Sequence, residues 1–196
     1  MPTTAEQKAQ GWLSVTEVLD AFIPKGLLDW YLRTGKAEAK KISTIAMKIG
    51  TRVDELIQDD VLKGSYKLSA KDPIEVKNCM DAWVKFKSDY SPNIKAVQIE
   101  VKDDIHKLIG HIDLIMDNMV VDIKCASSIK ANYWLQVAKY SQMYGADFKE
   151  VAIIRLDKNL GTYEFVKCSR LHRLVEVYDG LLSAYRYYNA PKEQGE

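Results

Sequence analysis

At 196 residues the chain has room for one domain, or one domain with an appended helical part, and at 47% hydrophobic it can bury a substantial core. Lys and Arg total 28 against 27 Asp and Glu, a net charge of +1, so any surface for a polyanion has to be a local patch. Cys79, Cys125 and Cys168 are odd in number, far apart and without a C-x-x-C pair. That spacing excludes a disulfide framework or zinc ribbon and fits reduced thiols in an intracellular protein. No apolar run approaches the roughly 20 residues that span a bilayer, and the opening MPTTAEQKAQ lacks the apolar stretch of a signal peptide, so no membrane partner is expected.

Residues 14–70 read mostly as helix. Ser14 or Thr16 can cap the first, with Glu17 at capping-box spacing from Ser14. Pro24 and Gly26 interrupt, and LLDWYLRTG follows as a short amphipathic turn. Ile42, Ile45, Ala46, Ile49, Val53, Leu56 and Ile57 recur at helical period, although Gly50 weakens the pattern. Residues 73–90 give another helix. The pattern then changes. KAVQIEVK (95–102) alternates as a strand, and HKLIGHIDLIM and MVVDIKCA read as two further strands around Asp117-Asn118, residues that suit a tight turn. NYWLQVAKYSQMYGA is a helix, KEVAIIRLD and GTYEFVKCS are strands, and residues 170–189 form a last helix. The tail APKEQGE is polar and is expected to fray. The predicted fold class is α/β or α+β, with a mixed central sheet flanked by helices.

The hairpin carries the chemistry. With Asp117 and Asn118 as its loop, Asp113 faces Asp122 and His111 faces Lys124. Strict alternation places all four on one face with Ile115 and Val120. Opposed carboxylates on a half-buried face need a cation between them, and hard oxygen ligands match Mg²⁺ or Mn²⁺. The competing reading is an exposed face with scattered charges.

GHIDLI, then VVDIKCA, then QVAKY on the following helix resemble the PD-(D/E)xK nuclease superfamily, in particular its RecB-like branch of phage and mitochondrial-type DNA exonucleases. The matching positions are Gly110 and Asp113, Asp122 and Lys124, and Gln136 and Tyr140. The resemblance is firm over about residues 95–158. It implies a restriction-endonuclease-like core over 95–196, with residues 1–94 as a helical arch or cap of the same domain. It also implies that Asp113 and Asp122 bind the metal with the backbone carbonyl of Ile123. Lys124 would then assist the attacking water, while Gln136 and Tyr140 position DNA or the lysine. In the branch's G-x-x-x-H setting this chain has Asp54, so that the shell would be completed by Asp54, Glu55 or Glu100. The implied activity is a Mg²⁺- or Mn²⁺-dependent DNA exonuclease, phage-encoded by its likeness, acting on single-stranded DNA or duplex ends. The runners-up are an endonuclease on the same core and a nucleic-acid-binding module without chemistry.

Further DNA contacts are expected from His111 and Tyr133, with Trp134 and Tyr144 on the same helix. In the N-terminal segment Trp30, Tyr31 and Arg33 join Lys36, Lys40, Lys41, Lys48 and Arg52 as a strand-threading passage. Core packing and solvated charge are the plainer readings of these residues. No phosphate loop of the G-x-x-x-x-G-K-[ST] kind is present, so no nucleotide cofactor is expected. Three dispersed cysteines argue against the iron–sulfur cluster found in some members of the branch.

Overall fold

The computed structural model describes residues 3–190, so most of the polar tail lies outside the described residues. The first half contains α1 (Ala5–Ala9), a two-residue strand β1 (Leu13–Ser14), α2 (Val15–Asp20), α3 (Lys25–Thr34), α4 (Lys36–Lys63) and α5 (Ile74–Tyr90). Ser14 caps α2 by accepting the Glu17 N–H at 3.0 Å. Gly35, at φ +81°, separates α3 from α4, a turn that glycine makes without steric cost. Helix α4 runs 28 residues straight through Gly50 and ends at Gly64, which takes the left-handed conformation common past a helix end. Asp60 of α4 accepts the Trp83 indole N–H of α5 at 2.7 Å and also binds Lys87, so the buried carboxylate ties the two helices together.

The second half supplies β2 (Ile94–Asp103), β3 (Leu108–Met116), β4 (Met119–Lys124), α6 (Ala131–Tyr144), β5 (Val151–Leu156), β6 (Tyr163–Cys168) and α7 (Leu171–Asn189). The sheet is mixed, in the order β1-β3-β4-β5-β6 with β2 also pairing with β3. Asp117 and Asn118, at φ 47° and 62°, form the tight hairpin turn between β3 and β4. The hairpin has the expected register in Leu114–Val121, Ile115–Val120 and Met116–Met119. The ladder stops there, one rung short of Asp113 and Asp122. Strand β4 then continues in parallel with β5, through Asp122–Ile153, Ile123–Ile154 and Lys124–Arg155.

Two cores sandwich the sheet. On one side α4 and α5 pack over Leu114, Met116, Val121, Ile123 and Ile154. On the other α2, α6 and α7 pack over Leu108, Ile112, Ile115, Val120 and Ile153. Membership of the two cores corrects the strict alternation read from the sequence. Ile112 and Leu114 share a parity yet lie in different cores, so β3 exchanges its faces at Asp113. The supposed common face of His111, Asp113 and Ile115 is therefore not continuous. The N-terminal segment is also not wholly helical, because Leu13 and Ser14 pair in parallel with Leu108 and Ile109. No helix among the described residues is long and apolar enough to cross a membrane.

A Cβ added at Gly50 would meet no atom within 4 Å. Gly50→Ala is expected to stabilise the protein by about 0.5–1 kcal/mol through reduced unfolded-chain entropy. Urea denaturation with an unchanged slope is the check.

Candidate active site

Strand β2 occupies one edge of β3 along most of its length. The other edge is shared. Strand β1 pairs with Leu108 and Ile109, and β4 pairs with Leu114 to Met116. Gly110, His111, Ile112 and Asp113 lie between and have no strand partner on that edge. A cavity of about 600 Å³ opens there, walled by Asp54 and Glu55 of α4, by Gln136 and Tyr140 of α6, and by Ile123 and Lys124 of β4.

Asp113 fills the break in the ladder with its side chain. Its Oδ2 accepts the Ile123 N–H at 2.8 Å, taking a backbone donor at the point where β4 leaves β3. Asp122 is 2% exposed. Its Oδ1 accepts from Lys124 Nζ at 2.8 Å, while its Oδ2 is buried with no hydrogen-bond partner among the described residues. Such an orphaned carboxylate oxygen is costly unless a cation or donor meets it.

The electrostatics follow from this crowding. Burial, then the charge of Asp113, pushes the Asp54 carboxyl up to about 8, against the pull of Lys124. Burial pushes Asp122 up to about 7, with Lys124 opposing and Asp113 adding. Asp113 is likewise raised by burial, against Lys124 and the Ile123 N–H. Burial disfavours the charged form of Lys124, but Asp122 and Asp113 outweigh it and hold the ammonium above its ordinary pKa. Three carboxylates thus compete for one lysine. Among the described residues no three His, Cys, Asp or Glu side chains converge as a ready-made metal cage. The fit to a hard cation rests instead on the orphaned Asp122 oxygen and the Asp113 carboxylate, with Asp54 across the cavity.

Helix α6 closes the other wall. Gln136 Nε2 donates to Tyr140 Oη at 3.2 Å, and burial, then Asp122, pushes the phenol up to about 12. The Tyr140 ring packs against Gly110, where an added Cβ would stand 2.2 Å from Cε1. The glycine of one motif is therefore required by the tyrosine of another. The neighbouring Lys139 is fully buried and binds Asp179 of α7 at 2.9 Å and Gln142 at 2.7 Å, which fixes α6 against α7.

The sequence-predicted residues divide clearly. Asp54, His111, Asp113, Ile123, Lys124, Gln136 and Tyr140 line the cavity, and Tyr133 lies over Lys124 Nζ at 5.2 Å from its ring centroid. Glu55 reaches the cavity rim but pairs with Arg52 at 3.1 Å. Glu100 pairs with Lys102 at 2.8 Å and lies 3.6 Å from His111, away from the carboxylates. Trp30 and Tyr31 pack edge-on against each other on α3 and, with Arg33, do not line the cavity. Arg52 is held by Asp72 and is no free cation. Gln98, Thr51 and Gln58 also line the cavity and were not singled out from the sequence. Nothing in an alternating strand marks Gln98, and the two α4 residues become visible only once Asp54 fixes which helix face looks inward.

No family model matches the chain, and no curated protein matches it. Solved structures do resemble it. An alkaline exonuclease, LHK-Exo from Laribacter hongkongensis, superposes with a TM-score of 0.50 at 14% identity, over 94% of this chain and 92% of its own. The same enzyme in complex with dAMP gives a TM-score of 0.52 at 13% identity over the same shares. A phage-related exonuclease from Haemophilus somnus 129PT is similar over 69% of this chain and 78% of its own, at 14% identity and a TM-score of 0.43. The likeness to LHK-Exo shows the fold alone: a mixed sheet flanked by helices, as expected from the sequence.

Two outcomes follow from the packing and the charges. Gly110→Ala is expected to cost about 1–3 kcal/mol by overpacking against Tyr140, and Tyr140→Leu in the same chain should recover much of it, as measured by denaturation of the single and double variants. The raised carboxylates hold protons in the folded state that the unfolded chain releases above about pH 4. Their contribution is therefore complete below that pH and is lost as pH rises towards 8, the value reached by Asp54. In metal-free buffer Asp54→Asn should raise the melting temperature at pH 8.5 and change it little at pH 4.

Proposed function

We propose that this chain is a metal-dependent deoxyribonuclease that hydrolyses phosphodiester bonds from DNA ends. The observation that carries the reading is the gap in the β3 ladder, where Asp113, Lys124 and Asp54 of α4 line one cavity and the buried Asp122 stands behind Lys124. The fold shared with LHK-Exo, a protein also known in complex with dAMP, supports a deoxynucleotide substrate.

Asp113, Asp122 and the carbonyl of Ile123 would hold Mg²⁺ or Mn²⁺, with Asp54 as the third carboxylate. When bound, such an ion lowers the pKa of its water and offsets charge developing at phosphorus. The chain's own residues do the rest. Lys124, kept charged by its two aspartates, orients the attacking water and faces the phosphate. Gln136 and Tyr140 donate from α6 to the substrate or to the group that Lys124 holds. Tyr133, already against Lys124, offers an aromatic face to the terminal base. The next residue, Trp134, lines a separate cavity of about 480 Å³ with Lys167, Arg170 and Arg173. Aromatic and cationic groups so placed suit a single strand leaving the active site between α6 and α7.

The test uses end-labelled linear and closed circular single-stranded DNA of matched sequence, each with Mg²⁺, Mn²⁺ or EDTA. Linear DNA should be degraded only with a divalent ion, circles should resist, and Asp122→Asn or Lys124→Ala should lower the rate by about 10³-fold or more. Equal cutting of circles and linear strands would replace the exonuclease by an endonuclease. Full metal-dependent cleavage by Asp122→Asn would remove the site assignment.

A further inference from the structure

Gln98 has φ +53° in the interior of β2. Non-glycine residues seldom take this conformation. The other non-glycine residues with positive φ among those described are Ser91, Lys107, Asp117 and Asn118, each at a turn or a helix end. Gln98 stands opposite Asp113. The flanking rungs, Val97–Leu114 and Ile99–Ile112, are both formed in one register, so no residue is inserted. The Gln98–Asp113 rung between them is absent from the ladder.

The side chains show what the distortion does. Val97 and Leu114 pack in the core under α4 and α5, whereas Ile99 and Ile112 pack in the core under α6 and α7. In regular strands residues two apart share a face. Both strands therefore exchange faces at the same rung, and the left-handed residue is the pivot on β2. Asp113, at the pivot on β3, turns its carboxylate across the open edge to the Ile123 N–H instead of burying it in either apolar layer. The Gln98 side chain also lines the cavity with Asp113 and favours the charged form of its carboxyl.

We propose that Gln98 is a positioning residue for Asp113: its left-handed backbone reverses the faces of β2 and β3 at this rung, and its amide holds the Asp113 carboxylate across the gap. The proposal rests on the nuclease reading only for its consequence in metal binding; the coupling of Gln98 to Asp113 stands apart from it. Strain kept at a functional site is a recurrent device, and here it would be spent on aiming one oxygen ligand.

Two variants separate backbone from side chain. Gln98→Gly relieves the left-handed conformation and deletes the amide. It should raise the metal-free melting temperature by about 2–4 °C and weaken Mn²⁺ binding, measured calorimetrically without DNA, by about 10-fold. Gln98→Asn tolerates the backbone but its amide falls one methylene short, so Mn²⁺ binding should weaken similarly with little change in melting temperature. In metal-free protein, Gln98→Gly combined with Asp113→Asn should be non-additive in melting temperature, because the two side chains act on each other. Additivity, or wild-type Mn²⁺ affinity in both Gln98 variants, overturns the positioning role. A wild-type protein that binds no Mn²⁺ and cleaves no DNA overturns the nuclease reading, and the thermal cycle then still decides the role of Gln98.

Discussion

The interruption on one edge of β3 is the constraint from which the site follows. A strand inside a sheet normally spends its backbone donors and acceptors on both neighbours. Here β1 ends after Ser14 and β4 departs after Val121, so Gly110 to Asp113 face an opening. The break has to be compensated locally, and Asp113 does this by accepting from Ile123. The residue that repairs the backbone is thus the residue best placed to meet a ligand in the gap. The parallel pairing of β4 with β5 sets the other side, carrying Asp122 and Lys124 past the end of the hairpin.

Charge makes the arrangement unfavourable when empty of any counter-ion. Asp54, Asp113 and Asp122 all have raised pKa values from burial, and Lys124 is the cation that opposes all three. The hydrophobic layers on both faces absorb that cost: Trp83 and Phe86 on one side and Tyr178 on the other are fully buried within the cores that clamp the sheet. Stability is held in those cores, which leaves the edge of β3 free to be electrostatically poor. This division is common where a rigid scaffold presents a strained site.

The sequence discloses what periodicity and turn chemistry govern. The strand order from residue 95, the hairpin turn at Asp117-Asn118 and the long helix through Gly50 were all readable, because each is set by local pattern over several residues. The cavity-lining positions Asp54, Asp113, Lys124, Gln136 and Tyr140 were readable through motif spacing, together with Asp122 behind Lys124. Three features were hidden for physical reasons. The two-residue strand β1 is too short for any period and exists only because β3 offers it an edge. The reversal of faces at Asp113 breaks the rule from which faces are inferred, and its cause, Gln98, lies on another strand. The aromatic and basic residues of α3 read as a nucleic-acid surface by composition, but that they stand outside the cavity lining could not be read, because composition does not say where a short helix is carried.

The same geometry explains how so little sequence identity can accompany a shared fold. The site imposes sharp demands on few positions, and most of them are pairwise. Gly110 must lack a side chain because Tyr140 lies on it. Asp122 needs Lys124, since alone it would be a buried unpaired charge. Tyr140 in turn is aimed by the turn of α6 that Lys139 anchors to Asp179, one residue away and on a different face of the helix. The cores ask only for apolar volume in the right layer, a requirement many sequences meet. At 14% identity with LHK-Exo over 94% of the chain, most core side chains can therefore differ while the layers that define the fold are kept.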